Sequence, residues 1–338
     1  MMTKSSIQTL VETAGPSGFE GRVRELVRLE IEPFVDELRV DNLGNLIARK
    51  GRAASHGLRL MLSAHLDELG LIASHVDDQG FVRFLPLGPV QPLTCLGGRV
   101  RFLNQAGGVI GSERLANPGQ TPPFEALFID LGAASREDCP VRPGDVAVFD
   151  QPFADLGDRL AGKALNDRLG VAVLIEVLRL LSQQGNPSPH ELHFVFSVQG
   201  KVGARGAVVA AYSVDPDLAL VVDLAAAGDT PKGSKNALRL GSGPAVLVRD
   251  GSTLSDARLV DWMARSAEKS GLPHQLEIST RESSGGRAIQ LTRSGVPVGC
   301  LSVPCRYLHT PSELVDYTDV QHTARLLLEL LCVEPPLS

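Results

Sequence analysis

Apolar strand-like runs alternate with helical segments throughout the second half of the chain, and this alternation constrains the fold more than any other feature. Candidate strands at residues 192–198, 218–222 and 296–302 are separated by segments whose apolar residues recur with a helical period. Strands that alternate with helices form βαβ units. The sequence therefore predicts an α/β fold with a mostly parallel sheet that helices cover on both faces.

Residues 77–160 interrupt this alternation. Short runs such as FVRFLPL, GRVRFL and DVAVFD alternate there with Gly, Pro and Asp, and no long helical period occurs. Such spacing is typical of a compact all-β unit. We therefore predict a discontinuous α/β domain, residues 1–75 and 161–338, that carries an inserted all-β barrel domain at residues 76–160.

Charge and hydropathy restrict the function. The net charge of −6 argues against nucleic acid as a partner, because phosphate binding needs a basic face. No apolar run approaches the roughly 20 residues that span a membrane, and the first residues lack the pattern of a secretion signal. The 5 cysteines show no paired C-x-x-C spacing, which disfavours a disulfide framework and a cysteine zinc site. We expect a cytoplasmic protein.

Candidate metal ligands follow several of the predicted strands. In α/β sheets, ligands bind beyond the carboxyl ends of the strands. His65 follows LRLMLSA, Asp223 closes LALVVD, His309 follows VPVGCLSV, and Asp167 begins the helix after the β insert. Imidazole and carboxylate ligands suit zinc or cobalt, and a bridging carboxylate such as Asp167 would hold two ions about 3.5–4 Å apart.

These residues also have simpler interpretations. Asp67 lies two residues after His65 and would orient its imidazole, yet Asp67 and the neighbouring Glu68 are equally compatible with solvated loop acids. The pair Asn166 and Asp167 is also compatible with simple helix capping. It is the combination of these residues at strand ends that favours a metal site.

A series of motifs in order along the chain resembles the dinuclear metallo-aminopeptidases of the tetrahedral type, which include deblocking and glutamyl aminopeptidases. The matching segments are AGPSGFE, DNLGNLIARK, AHLDELG, FIDLGAASRED, VRPGD, KALNDRLG, VGARGA, VVDLAAAGDTP and RYLHTPSE. The resemblance implies a zinc-peptidase-like α/β domain with an inserted barrel that mediates assembly. It also implies peptide substrates and a homo-oligomer, from a dimer up to a hollow dodecamer.

The same resemblance assigns roles to individual residues. It implies that His65 and Asp223 bind one metal, that Asp167 bridges, that His309 serves the second metal and that Asp67 orients His65. In the family, two consecutive glutamates follow the glutamine before VGxRGA. The first is the general base and the second is a ligand of the metal that His309 also binds.

This chain carries Gly200 and Lys201 at the two glutamate positions. A positioned general base contributes about 10²- to 10⁴-fold, or roughly 3 to 5.5 kcal/mol of the barrier. An ammonium about 4 Å from a divalent ion would be repelled by roughly 8 kcal/mol at an effective dielectric constant of 20. We therefore expect one bound metal or none, with Lys201 in the place of the second. The alternative is that Lys201 extends to solvent and leaves an empty pocket.

A second departure lies in ESSGGRAIQ, residues 282–290, where the family usually carries a Gly-Thr-Asp run. Three functions remain open from the sequence. The first is an aminopeptidase with an altered, mononuclear site, and the second is a non-catalytic subunit that binds peptides or serves assembly. The third, chemistry on a lysine of lowered pKa, ranks last because neighbouring carboxylates favour the charged amine. We favour an impaired or inactive hydrolase, a pseudo-enzyme of this family.

Overall fold

The computed structural model describes residues 2–115, 117, 119–233, 238–280 and 285–336. Its helices begin and end where the apolar periodicity of the sequence does, to within a few residues. They are α1 (Lys4–Glu12), α2 (Gly21–Ile31), α3 (Leu165–Gln183), α4 (Arg205–Val214), α5 (Ala257–Lys269), α6 (Gly286–Gln290) and α7 (Tyr317–Leu331).

The strands fall into two groups, one for each part of the predicted architecture. In chain order they are β1 (Glu37–Val40), β2 (Leu46–Lys50), β3 (Arg59–His65), β4 (Gly70–Val76), β5 (Val82–Leu87), β6 (Arg99–Phe102), β7 (Gly107–Ser112), β8 (Leu127–Asp130), β9 (Val146–Phe149), β10 (Ala154–Asp155), β11 (Arg159–Gly162), β12 (Glu191–Ser197), β13 (Leu218–Ala226), β14 (Ala245–Arg249), β15 (Gln275–Ile278), β16 (Val298–Arg306) and β17 (Glu313–Asp316).

A large sheet has the strand order β1-β2-β12-β3-β13-β16-β17-β11-β10, with β14 and β15 attached beside β16. Its central strands β12, β3, β13 and β16 run parallel, whereas the strands on both sides pair antiparallel. The α/β fold class is thus confirmed, and parallel pairing joins the four central strands and also the attached strands β14 and β15. The carboxyl ends of the central strands all meet at one edge.

Helices cover both faces of this sheet, as the sequence predicts. The long helix α3 packs with α1, α2 and α7 over the apolar side chains of β3 and β13 on one face. On the other face, α4 and α6 cover a second cluster of buried side chains that includes Val195, Ala207 and Ile289. Burial on both faces explains why the central strands read as continuous apolar runs rather than as alternating ones.

The inserted strands β4, β5, β8, β7, β6 and β9 form a closed barrel with its own apolar core. Strand β4 pairs with β5 and β9, so it belongs to the barrel, whereas β10 and β11 pair within the large sheet. The barrel strands therefore lie between residues 70 and 149. The division of the chain into domains at residues 75/76 and 160/161 stays a prediction.

The predicted elements agree closely with the observed ones at the C-terminus, where α7 has the bounds expected from its periodicity. The predicted helix at residues 286–293 ends earlier, at Gln290, and the start of ESSGGRAIQ at residues 282–284 lies outside the described residues. Within the part of the chain that is described, none of the helices is long and apolar enough to cross a bilayer.

Candidate metal centre

Three of the predicted ligands meet at the edge of the large sheet. His65 is the last residue of β3, and Asp223 lies on the adjacent strand β13. Strand β13 does not end at Asp223, as the sequence suggests, but continues to Ala226 because it stays paired with β16. Ligand atoms of His65, Asp167 and Asp223 all lie within 4.8 Å of one another.

Asp167 caps its helix and faces the cluster as well, so both interpretations of this residue hold. Its Oδ1 accepts a hydrogen bond from the backbone N–H of Gly170 at 3.1 Å, and its Oδ2 accepts one from the backbone N–H of His65 at 3.0 Å. Burial and the nearby Asp223 carboxylate raise the pKa of Asp167 well above its ordinary value. A buried pair of carboxylates that repel one another is a strong attractor for a cation.

Asp67 holds the turn that carries Gly200 and Lys201 against β3. It is fully buried, and its Oδ1 accepts the backbone N–H of Gly200 at 2.6 Å. Its Oδ2 accepts the Ser17 hydroxyl at 2.5 Å and the backbone N–H of Lys201 at 2.8 Å. Burial alone would raise the pKa of Asp67, but the His65 charge and these donors hold it far below its usual value. Asp67 is therefore a buried anchor, not a solvated loop acid.

The His65 ring lies between two acceptors. Its Nδ1 is hydrogen-bonded to the Asp67 backbone carbonyl at 3.1 Å and lies at the same distance from Asp67 Oδ1, and its Nε2 is 3.0 Å from Asn166 Oδ1. Burial and Lys201 lower the pKa of His65, but the Asp67 and Asp167 carboxylates outweigh them and raise it above its ordinary value. Asn166 thus belongs to the site, although its sequence position suggests only a helix cap.

Gly200 lies directly against the His65 ring. A Cβ built at Gly200 would stand 2.5 Å from His65 Cγ, 2.6 Å from His65 Cβ and 2.9 Å from Asp67 Oδ1. These separations are far below van der Waals contact. The space that a side chain at position 200 would need is therefore filled by the His65 side chain.

Lys201 points into the site rather than into solvent. Its Nζ donates to Asn166 Oδ1 at 2.5 Å, on the same oxygen that faces His65 Nε2. Its stem passes so close to Gly88, in the loop after β5, that a Cβ at Gly88 would stand 2.9 Å from Lys201 Cβ. The alternative in which Lys201 extends to solvent is therefore wrong for this structure.

His309 stands apart from the three clustered ligands. It lies in the turn between β16 and β17, and its backbone N–H donates to Glu313 Oε1 at 3.0 Å. Burial, with the charges of Lys201 and His65, lowers the pKa of His309 to about 3. Its ring is thus a neutral imidazole near Lys201.

Glu313 is a second buried acid that sequence reasoning missed. Its other oxygen accepts the backbone N–H of Asn166 at 2.8 Å, so one carboxyl joins the turn of His309 to the start of α3. Burial raises the pKa of Glu313 to about 7. The signal that would have found it is its place four residues after His309, at the first position of the next strand.

Glu68, the other suspected loop acid, is also buried. Its Oε2 accepts from Lys163 Nζ at 2.5 Å, and its Oε1 accepts the backbone N–H of Gly15 at 2.9 Å. The fully buried Arg168 lies 3.6 Å away and donates to the carbonyls of Leu10 and Thr13. This network ties the N-terminal segment to the two chain segments that carry His65, Asp67 and Asp167.

The donor set fits one divalent ion. His65, Asp167 and Asp223 supply one nitrogen and two carboxylates, a ligand set suited to zinc or cobalt with an open position. Among the described residues, His309 lies outside this cluster, and the Lys201 ammonium, which has no lone pair, cannot be the metal ligand that the resemblance implies at position 201.

Known proteins match this chain over almost its whole length. The profile of the M42 glutamyl aminopeptidase family matches residues 44–326. A putative aminopeptidase of Acetivibrio thermocellus is 39% identical over 321 residues, which cover 94% of this chain and 95% of that protein.

Solved structures of similar proteins share the whole fold. An aminopeptidase of the archaeon Desulfurococcus kamchatkensis superposes with a TM-score of 0.92 at 34% identity, covering 98% of this chain and 95% of its own. The TET1 peptidase of Pyrococcus horikoshii, described as assembling into a tetrahedron or a large octahedral shell, has a TM-score of 0.85 at 30% identity. That match covers 96% of this chain and 98% of the TET1 chain.

Proposed function

Because the chain belongs to the M42 glutamyl aminopeptidase family, we propose that it binds the N-terminal part of peptides at the His65 centre and hydrolyses them poorly or not at all. The observation that carries this proposal is the contact between Gly200 and the His65 ring. The site keeps its metal-binding half and lacks both the carboxylate and the space for a general base.

The metal in this proposal is a single divalent ion, zinc or cobalt, held by His65, Asp167 and Asp223. When bound, such an ion polarises a peptide carbonyl and lowers the pKa of a water molecule. Asp67 would keep the His65 ring in position through Nδ1, as its 3.1 Å contact supports.

The nearby carboxylates do not replace the lost base. Asp67 accepts three hydrogen bonds besides its contact with His65, and Glu313 accepts two from backbone N–H groups. The donors to Asp67 hold its pKa far below its usual value and so make it a weak base, and the partners of Glu313 fix its carboxyl group between the His309 turn and the start of α3. Loss of a general base by itself lowers turnover by about 10²- to 10⁴-fold.

The proposal includes two wider expectations. The chain forms a homo-oligomer, between a dimer and a dodecamer, in keeping with the shells described for the TET1 peptidase of Pyrococcus horikoshii. It acts in the cytoplasm, which is still only a prediction from the sequence. A second candidate is a subunit that only binds peptides, and the residual turnover separates the two.

The test measures release of N-terminal residues from short peptides by the purified protein with zinc or cobalt, beside the TET1 peptidase of Pyrococcus horikoshii. We expect turnover at least about 100-fold lower than that of TET1, and micromolar to millimolar binding of the same peptides by calorimetry. If a residual turnover disappears in the Asp223→Asn variant, that hydrolysis takes place at the centre formed by His65, Asp167 and Asp223. Turnover equal to that of TET1 would refute the proposal.

A further inference from the structure

The Lys201 side chain extends into the site and is partly buried there. Its Nζ donates to Asn166 Oδ1 at 2.5 Å, directly beside the start of α3 that carries Asp167. Asp167 and Glu313 are buried acids, and Asn166, the partner of Lys201, precedes Asp167 in the chain and donates its backbone N–H to Glu313 Oε2 at 2.8 Å. A positive charge at this point compensates carboxylates that would otherwise repel one another.

The position of Lys201 is set by contacts at both ends of its side chain. Its backbone N–H is held by Asp67 Oδ2 at 2.8 Å, its stem lies against Gly88, and its Nζ donates to Asn166 Oδ1 at 2.5 Å. A lysine restrained in this way has a defined location for its charge. It differs from a surface lysine, whose head group samples solvent.

We propose that Lys201 is a built-in cation that occupies the place of the second metal ion. The centre then binds one divalent ion at His65, Asp167 and Asp223, and no metal ion binds on the side of His309. This inference rests on the proposed metal site at His65, Asp167 and Asp223. It adds that the ammonium stabilises the Asn166, Asp167 and Glu313 side of the site when no metal is present.

The hydrogen bonds around Asn166 agree with this role. Asn166 accepts from Lys201 with the oxygen that also faces His65 Nε2. The amide therefore links the fixed cation to the metal ligand.

The experiment measures zinc stoichiometry by equilibrium dialysis and elemental analysis for the wild type, Lys201→Glu and Lys201→Met. We expect the wild type to saturate at one zinc per chain and Lys201→Glu to approach two. Co²⁺ binding, followed by its visible absorption, gives an independent count. Saturation of the wild type at two ions, or of Lys201→Glu at one, would overturn the proposal.

Thermal unfolding of the metal-free proteins supplies a second readout that does not need any bound ion. Lys201→Met keeps the length of the side chain and loses the charge, so we expect its Tm to fall by at least about 2 °C. Lys269→Met, at an exposed helical position, is the matched control and should leave Tm unchanged. A metal-free Lys201→Met protein as stable as the wild type would overturn the stabilising role.

These outcomes also separate this inference from the proposed function. A wild type that binds no zinc while Lys201→Met still loses stability would refute the single-ion centre and support the built-in cation. Efficient peptide hydrolysis with one zinc per chain would refute the impaired function and leave Lys201 in its proposed place.

Discussion

Gly200 and His65 are in contact across the ends of two adjacent parallel strands, with the position of a Gly200 Cβ only 2.5 Å from His65 Cγ. The family resemblance implies a glutamate at this position. Here the His65 side chain fills the space that a side chain at position 200 would need, so a larger residue at this position would require His65 to shift.

Gly200→Ala should lower the free energy of unfolding of the metal-free protein by about 1–3 kcal/mol, because the added methyl group overpacks a buried contact. Urea unfolding measures the change. Gly107→Ala is the control, since a Cβ at Gly107 meets nothing within 4 Å, and it should stay within about 1 kcal/mol of the wild type. Equal stability of the two variants would show that the His65 side chain can shift to accommodate the added methyl group at little energetic cost.

Asp223→Asn should weaken zinc binding at least about 100-fold, because loss of a ligand exceeds the 10- to 100-fold effect of losing an outer partner. The metal-free variant should be no less stable than the wild type, since one of two mutually repelling carboxylates is gone. Calorimetric titration with zinc and thermal unfolding test the two statements. Undiminished zinc affinity would place the ion elsewhere.

Glu68→Gln should destabilise the protein by about 3–5 kcal/mol, because it leaves the buried Lys163 ammonium without its carboxylate. The double variant Glu68→Gln/Lys163→Met removes the unpaired charge and should recover part of the loss. Glu25→Gln, which breaks an exposed pair with Arg28, is the control and should have a much smaller effect. Urea unfolding of the metal-free proteins measures the free energy of unfolding of each variant, and the loss should be largest for Glu68→Gln, smaller for the double variant and much smaller than that of Glu68→Gln for Glu25→Gln.

Glu313 should make the stability of the metal-free protein depend on pH. Burial raises its pKa to about 7 in the native state, above the ordinary 4.5. Between these values the native state keeps a proton that the unfolded chain releases, so this contribution is complete below pH 4.5 and is lost as pH rises through 7. It amounts to about 3 kcal/mol.

Glu313→Gln cannot ionise, so the stability of the wild type relative to this variant should decrease between pH 5 and pH 8. Urea unfolding at several pH values measures the difference, with the exposed Glu268→Gln as the control. A difference that is constant over this range would show that Glu313 is already ionised at pH 5.

Much of the fold follows from periodicity. Residues 317–331 were predictable as a helix because their apolar side chains repeat at helical spacing, and the central strands were predictable because both of their faces are buried. The assignment of β4 to the barrel was not predictable. A single strand has the same sequence pattern in either sheet, and only its pairing with β5 and β9 decides where it belongs.

The candidate site divides in the same way. His65, Asp167 and Asp223 were predictable as a group because the topology of a parallel sheet brings strand ends together. Asn166, Glu313 and Ser17 were missed, since each enters the site through a hydrogen bond between segments far apart in the chain. Burial of Glu68 was missed for the same reason.

The sequence by itself determined that the chain is an α/β protein with a β insert, which residues stand at the strand ends, and that a glycine and a lysine occupy two expected glutamate positions. These are properties of local patterns and residue identity. Only the tertiary structure decided that His65 fills the space beside Gly200 and that Lys201 turns inward to Asn166. Both depend on the distance between side chains more than 30 residues apart in the chain, which packing sets and sequence spacing does not.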